Sequence, residues 1–322
     1  MALTFAIPDS VLSTTLANYR TTLEDNIFKS DPVYAKLKEQ GSIRKIGGGE
    51  SIVIPLMYGK NSTIAGYSGY GIIDTTPQDG ITSAKFSWKQ VAGSITISGK
   101  EARQNSSKEQ LINLLKSKVN QAELSFKDYF AQKLFGTAPS DTGTDPHSLA
   151  TLCATTGTVG GIAKGSYSWW QSQSGTAASF AANGLAEMRN IYNDCSQQSA
   201  TDAPNLIITT QEAFEAYEGL LQPQERLNST AMADGGFKAL LFKGVPIVWA
   251  PYTTGHGAIA ASKMYFLNTK YLELVVHSDA DMKTTEFVEP ENQDAKVAKM
   301  IWMGELTISN AQKQGILSIT AA

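Results

Sequence analysis

Three histidines are the residues of this sequence best suited to acid–base or metal chemistry, and their spacing argues against both. His147, His256 and His277 lie far apart in the 322-residue chain, and none belongs to an HExxH pair. His277 is followed by Asp279 and Asp281, but a metal site needs a further convergent set of ligands. We therefore interpret the HSDADM segment as a polar turn after a strand, and His256 as part of a solvated turn.

Phosphate-binding and nucleophile motifs are matched only in part. In YGKNST, Asn61 stands where a P-loop has serine or threonine after its lysine. In GYSGYG, Ser68 has a glycine at the spacing of a nucleophile elbow, but Tyr70 occupies the second glycine position. The acidic EPENQD segment lacks the ligand spacing of a calcium loop. The sequence predicts a protein that is not an enzyme, with no catalytic residue, no metal site and no cofactor.

A glycine-rich stretch with paired tryptophans, GTVGGIAKGSYSWWQS, is the remaining candidate for a binding site. No amphipathic helix follows its glycines to hold a phosphate. As a base-stacking platform it has only Lys164 for charge, where several cations are expected. Two interpretations stay open: Trp169 and Trp170 contact a neighbouring molecule, as interface tryptophans often do, or they are buried within the subunit.

The composition favours an assembling protein over a nucleic-acid-binding one. Charged residues make up 18% of the chain, below the roughly 25% of an average soluble domain. Because the centres of protein interfaces are depleted in charge, this shortfall suggests that much surface is covered in an assembly. A net charge of −3 predicts no general attraction to DNA or RNA.

The cysteines and the apolar segments bear on the compartment. Cys153 and Cys195 are the only cysteines and form no CxxC pair, so we expect no disulfide framework and a reducing environment. The N-terminal sequence lacks the pattern of a signal peptide, and no stretch approaches 18 apolar residues. We expect a soluble protein made in the cytoplasm, with no membrane partner.

The first hundred residues predict an N-terminal helix and a long hairpin. Ser30, Pro32 and Gly41 are the start and stop signals of a short helix. Two apolar strands follow, ESIVIPLMYGK and SAKFSWKQVAGSITISG, and they flank a glycine-, serine- and threonine-rich tip at 59–82. Alternation along the second strand predicts that Lys89 and its polar neighbours face away from the aromatic residues. Such a hairpin has little core of its own and must lean on other parts of the protein.

A long helix and a compact α/β region follow. Ser106 and Glu109 form a capping box, and apolar residues at helical spacing continue to Gly136, which predicts a helix of about 45 Å. Residues 137–180 are a polar connection. Beyond it we expect two helices, the second capped by Thr209, together with several buried strands. Two final strands are expected to return to the long helix. This pattern predicts the α+β class.

The order of these parts resembles that of tailed-bacteriophage major capsid proteins, whose fold is shared with encapsulins and herpesvirus shell proteins. The resemblance spans nearly the whole chain and includes the hairpin arms, the helix SSKEQLINLLKSKVNQAELSFKDYFAQKLFG, FKGVPIVWAP, MYFLNTKYLEL and GELTISNAQKQGILSI. The regions that it implies are an N-terminal arm at 1–45, an extended hairpin loop at 46–98, the spine helix and insertion of a peripheral domain at 99–180, an axial α/β domain at 181–290, and C-terminal strands returning to the peripheral domain at 291–322.

The resemblance implies a head protein that self-assembles, as pentamers and hexamers, into an icosahedral shell around double-stranded DNA that it does not bind specifically. The implied partners are a separate scaffolding protein, a portal and a decoration protein, with assembly in the bacterial cytoplasm and a final location in the virion capsid. Trp88, Trp169 and Trp170 are the candidate assembly contacts. The alternatives are an encapsulin-type nanocompartment shell and, more remotely, an α+β enzyme with an unrecognised site.

Overall fold

The structure is a computed structural model that describes residues 32–104, 114–136, 143–197, 202–221, 239–250 and 263–320. Its helices are α1 (Pro32–Glu39), α2 (Gly99–Gln104), α3 (Leu114–Phe135), α4 (Leu149–Leu152), α5 (Leu185–Cys195) and α6 (Gln211–Leu220). Predictions for the first 31 residues, for the capping box at Ser106 and Glu109, and for His256 lie outside the described residues.

The strands are β1 (Ile43–Ile46), β2 (Ser51–Met57), β3 (Ile81–Ser87), β4 (Lys89–Ser98), β5 (Thr158–Val159), β6 (Ile162–Ala163), β7 (Gln173–Ala177), β8 (Leu206–Thr209), β9 (Ala239–Phe242), β10 (Val245–Trp249), β11 (Lys263–Leu267), β12 (Leu272–His277), β13 (Lys283–Thr284), β14 (Ala295–Ile308) and β15 (Gly315–Ile319). The chain divides into two compact units. The smaller comprises described residues of 90–130 and 279–302, and the larger those of 32–89, 131–278 and 303–320.

A six-stranded sheet in the larger unit has the order β7-β15-β11-β8-β10-β9. Strand β8 lies in its interior, parallel to β10 and antiparallel to β11. All four residues of β8 are buried, as expected for a strand covered on both faces. Leu206 and Ile208 belong to one apolar core and Ile207 to a second, so the sheet separates two cores. The second of these cores also contains the buried residues of α5 and α6.

The other large sheet follows the path β1-β12-β14-β13, with β4 also paired to β14. Burial along β14 alternates at first and then becomes continuous from Gly304 to Ile308. The alternating part has one solvated face, whereas the final part is covered on both faces. Strand β1, which pairs parallel to β12, was missed by the sequence analysis. Its four residues, IRKI, do not alternate between apolar and polar, since the two isoleucines at the ends are partly buried and the two central residues are exposed.

Helix α3 is 22 residues long in the described part of the chain, about 33 Å. Within the smaller unit, the Phe130 ring lies 4.4 Å from the Trp302 ring of β14, centroid to centroid. This ring contact joins β14 to the helix. The last strand, β15, pairs with β7 and β11 in the six-stranded sheet. Within the described ranges, none of the helices combines the length and apolar character that a membrane span requires.

One local prediction was wrong. The N-cap of α6 is Thr210, whose side chain accepts a hydrogen bond from the Ala213 N–H, whereas Thr209 ends β8 as a buried residue. Lys89, predicted to face away from the aromatic residues of its strand, is only 4% exposed, and its ammonium group donates to the Gly143 carbonyl. The strand breaks at Trp88, between β3 and β4, so the alternation of β3 does not continue through it.

Candidate functional site: the exposed hairpin and its support

The residues suited to chemistry are dispersed in the structure. His147 is buried, and His277 lies on β12, where its ring contacts the edge of Trp88 at a centroid distance of 5.7 Å. Among the described residues, no group of three or more histidine, cysteine, aspartate or glutamate side chains could hold a metal ion. Asp279 and Asp281 lie in the turn after β12. The candidate binding regions that remain in the described chain are its exposed surfaces.

One buried polar pair connects distant parts of the larger unit. His147 Nδ1 lies 3.1 Å from Glu305 Oε2, and both side chains are at most 1% exposed. Glu305 Oε1 accepts hydrogen bonds from the backbone N–H groups of His147, at 2.8 Å, and Leu306, at 2.9 Å. A buried carboxylate is tolerated when such donors surround it. The pair therefore holds the start of the segment containing α4 against β14.

The predicted hairpin is confirmed by the pairing of β2 with β3. The two strands are antiparallel, in register from Ser51 opposite Ser87 to Met57 opposite Ile81. One face of the pair is buried in the core of the larger unit and consists of Ile52, Leu56, Ala84 and Phe86. The base of the hairpin is thus anchored in its own subunit.

The tip of the hairpin, residues 59–80, is exposed, in contrast to the buried base. Its side-chain hydrogen bonds are internal, such as Ser62 Oγ to Gln78 Oε1 at 2.9 Å. The exposed large apolar residues at the tip and the two strand ends next to it are Met57, Tyr58, Ile64, Tyr67, Tyr70, Ile72, Ile73 and Ile81. Tyr70 and Ile72 are fully exposed. Because soluble monomers rarely expose so many large apolar side chains in one segment, this surface is suited to contact with another molecule.

The glycine-rich stretch supports the base of this hairpin. Strands β5 and β6 form a small hairpin whose turn is Gly160 and Gly161, with φ values of +62° and +75°. The carbonyl of Gly160 accepts a 2.9 Å hydrogen bond from the backbone N–H of Lys85 in β3. A Cβ atom on Gly160 would lie 2.8 Å from Ala84 Cβ and 3.1 Å from Phe86 Cζ. Close approach at this turn therefore requires glycine.

We expect Gly160→Ala to destabilise the subunit more than Gly161→Ala does. Both residues have positive φ, so each alanine carries a conformational cost of about 1–2 kcal/mol. Only Gly160 adds a steric conflict, since no atom lies within 4 Å of a Cβ on Gly161. Overpacking of this kind costs about 1–3 kcal/mol more. Denaturant unfolding of the two variants measures the difference, and equal losses would contradict the proposed contact with β3.

The three candidate tryptophans occupy different environments. Trp170 is 1% exposed and its indole N–H donates to the Val159 carbonyl at 3.0 Å, so it belongs to the core of the subunit. Trp169 is half-buried and stacks on Tyr58, with centroids 5.2 Å apart and planes 21° apart. Trp88 is also half-buried and donates to the Gly49 carbonyl at 2.8 Å. Of the two interpretations left open, burial within the subunit describes Trp170, whereas Trp88 and Trp169 retain exposed surface.

Lys164 organises the interior of the same stretch. Its side chain is fully buried, and its Nζ donates to the carbonyls of Leu152 at 2.6 Å and Ala154 at 2.8 Å. Burial lowers the pKa of Lys164 to about 8, partly offset by the charge interaction with Cys153. Burial also raises the pKa of the Cys153 thiol to about 12. From the sequence, Lys164 was expected only as a source of charge beside the tryptophans; its role inside the subunit depends on contacts with Leu152 and Ala154.

The lowered pKa of Lys164 predicts a pH dependence of stability. Between pH 8 and 10.5 the folded protein has released this proton while the unfolded chain still holds it, so the free energy of unfolding rises with pH. Lys164→Met lacks this contribution. From pH 7.5 to 9.5 we expect the free energy of unfolding of the wild type, minus that of the variant, to grow by about 2 kcal/mol. Unfolding curves at both pH values test this, and a constant difference would contradict it.

Comparison with known proteins identifies the fold. No protein-family model and no curated protein matches the sequence. The chain is similar to the cyanophage A-1(L) capsid subunit, with 18% identity, a TM-score of 0.67 and coverage of 95% of this chain and 97% of that one. The native GTA particle capsid gives 14% identity, a TM-score of 0.64 and coverage of 98% of this chain and 100% of that one. The holo-SrpI encapsulin of Synechococcus elongatus PCC 7942 gives 10% identity and a TM-score of 0.58. The match covers 96% of this chain and 94% of that one.

These similarities extend over nearly the full length of each chain and establish the fold. The protein has the α+β fold of tailed-phage major capsid proteins, which the encapsulin also has. The predicted fold class is confirmed.

Proposed function

We propose that this chain is the major capsid protein of a tailed bacteriophage and assembles with copies of itself into an icosahedral shell around the DNA genome. The observation that carries the proposal is the hairpin tip, an apolar surface that projects from an otherwise well-packed unit. Burial of one exposed isoleucine contributes about 1.5–3 kcal/mol, so a tip with Ile64, Ile72 and Ile73 can hold a neighbouring subunit. Repetition around a closed shell turns modest contacts into a stable assembly.

Each region that the resemblance implies has a proposed function in the shell. The hairpin loop at 46–98 reaches a neighbouring subunit, 99–180 contributes to a peripheral domain, and 181–290 forms the axial domain around the symmetry centres. Trp88 and Trp169 are proposed as subunit contacts, and Trp170 as a core residue. A net charge of −3 suits a shell that encloses double-stranded DNA without binding it specifically. The scaffolding protein, portal and decoration protein, and assembly in the bacterial cytoplasm, remain predictions.

A nanocompartment shell is the second candidate, because the similarity to an encapsulin also covers 96% of the chain. The two functions differ in what the shell contains. We propose no catalytic role, because the solved structures with this fold are capsids and an encapsulin shell.

Electron microscopy of the protein, expressed alone and together with its neighbouring genes, tests the proposal. Closed particles of uniform size are expected, and nuclease-protected DNA inside them would support the phage capsid. Particles that contain a protein cargo and no DNA would favour the nanocompartment. A small discrete oligomer under every condition would refute both candidates.

A further inference from the structure

The hairpin has a well-defined point at which support from its own subunit ends. Tyr58 is the residue after β2, and its backbone N–H donates to the Gly80 carbonyl at 2.9 Å. Beside it, a Cβ atom on Gly59 would lie 3.0 Å from the Gly80 Cα, so the two segments of the hairpin approach closely at these glycines. Glycine permits a wide range of backbone angles, and two glycines face each other where the tip begins. This crossing is suited to act as a hinge.

An aromatic stack lies directly beside the crossing. The Tyr58 ring is stacked on Trp169, and Trp169 in turn contacts Tyr167, at 5.9 Å, and Trp170, at 5.6 Å. Trp170 is fixed in the core of the larger unit through its bond to Val159. The stack therefore connects the start of the tip to a rigid part of the subunit.

We propose that Trp169 is a positioning residue that sets the direction in which the hairpin tip leaves the subunit. The Tyr58–Trp169 stack fixes the residue that leads into the Gly59–Gly80 crossing, so it sets the direction in which the chain enters the tip. When the stack is lost, the tip samples a wider range of directions while the subunit stays folded. If the proposed shell function holds, the direction of the tip also sets the angle between neighbouring subunits and hence the curvature of the shell.

Distances between two spin labels measure this effect in the unassembled subunit. Tyr70→Cys places one label on the tip and Lys38→Cys places the other on α1, where both native side chains are exposed. Cys153 and Cys195 are buried, and burial raises the pKa of each thiol, so the labels react selectively with the introduced cysteines.

We expect Trp169→Ala and Tyr58→Ala each to widen the distance distribution about twofold, and the double variant to add nothing further. Residues that act as one contact give this non-additive result. Tyr58→Phe and Trp169→Phe keep an aromatic ring and should restore most of the narrow distribution. Tyr167→Ala is the matched control, because Tyr167 contacts Trp169 and is half exposed, but does not stack on the hairpin.

Unchanged distributions in both alanine variants, with thermal unfolding unchanged, would overturn the inference. So would additive broadening in the double variant, because it would show two independent effects. The measurement does not depend on assembly. If the wild type forms no shells, the proposed function fails while the distance distributions still decide the role of Trp169. If it does form shells, the alanine variants should give particles of mixed size and shape.

Discussion

Deletion of residues 60–79 is expected to leave a folded subunit that forms no shells. The deletion joins Gly59 directly to Gly80, which already approach each other closely. A three-residue connection then links Met57 to Ile81, the last pair of β2 and β3, and glycine suits so tight a turn. Because the removed side chains do not belong to either apolar core, the free energy of unfolding should change by about 0.5 kcal/mol or less.

A variant of full length separates the apolar surface from the length of the tip. Ile64→Ser combined with Ile72→Ser removes two exposed apolar side chains and should also prevent assembly. Ser68→Ala combined with Thr75→Ala is the matched control and should assemble normally. Sedimentation and electron microscopy measure assembly, and thermal unfolding measures the fold. Normal shells from the deletion would contradict the assignment of the tip as a subunit contact.

Glu305→Ala is expected to destabilise the subunit strongly. The carboxylate accepts from two buried backbone N–H groups and lies beside the buried His147 imidazole. Its removal leaves both N–H groups without this acceptor and the imidazole without its neighbouring charge, at a cost of about 3–5 kcal/mol. Denaturant unfolding of the purified subunit measures the change.

Glu305→Gln is the matched variant, because its amide oxygen can still accept the bonds from His147 and Leu306. Its loss of stability should be about 1–3 kcal/mol, clearly smaller than that of the alanine variant. Equal losses in the two variants would show that the accepted hydrogen bonds contribute little. A loss below about 1 kcal/mol in Glu305→Ala would contradict the structural role of the pair.

The sequence predicted those parts of the fold that depend on local periodicity. The hairpin, α5, β8 and the final strands each have an apolar pattern that their own residues define. Strand β1 was missed because four residues with partly buried ends carry no alternation, and its pairing with β12 depends on residues more than 220 positions away. The predicted cap of α6 was one residue too early. Thr209 and Thr210 are equally good caps by residue type, and only tertiary packing buries Thr209.

The candidate site was predictable in outline only. The glycines and serines of the tip predicted a polar loop, but the exposure of Ile64 and Ile72 depends on the absence of packing against the rest of the described subunit, which no local pattern shows. Trp169 and Trp170 are adjacent and chemically alike, yet one is in the core and the other supports Tyr58, which lies 111 positions earlier in the chain. No local pattern distinguishes them. Similarly, the partner of His147 is 158 residues away in sequence.

A cryo-electron microscopy reconstruction of the assembled particles tests the central claim most directly. We predict a closed shell in which residues 59–80 of each subunit lie against another copy, with Ile64, Ile72 and Ile73 buried in that contact. A reconstruction in which these residues point into solvent, or an assembly that never closes into a shell, would contradict the account.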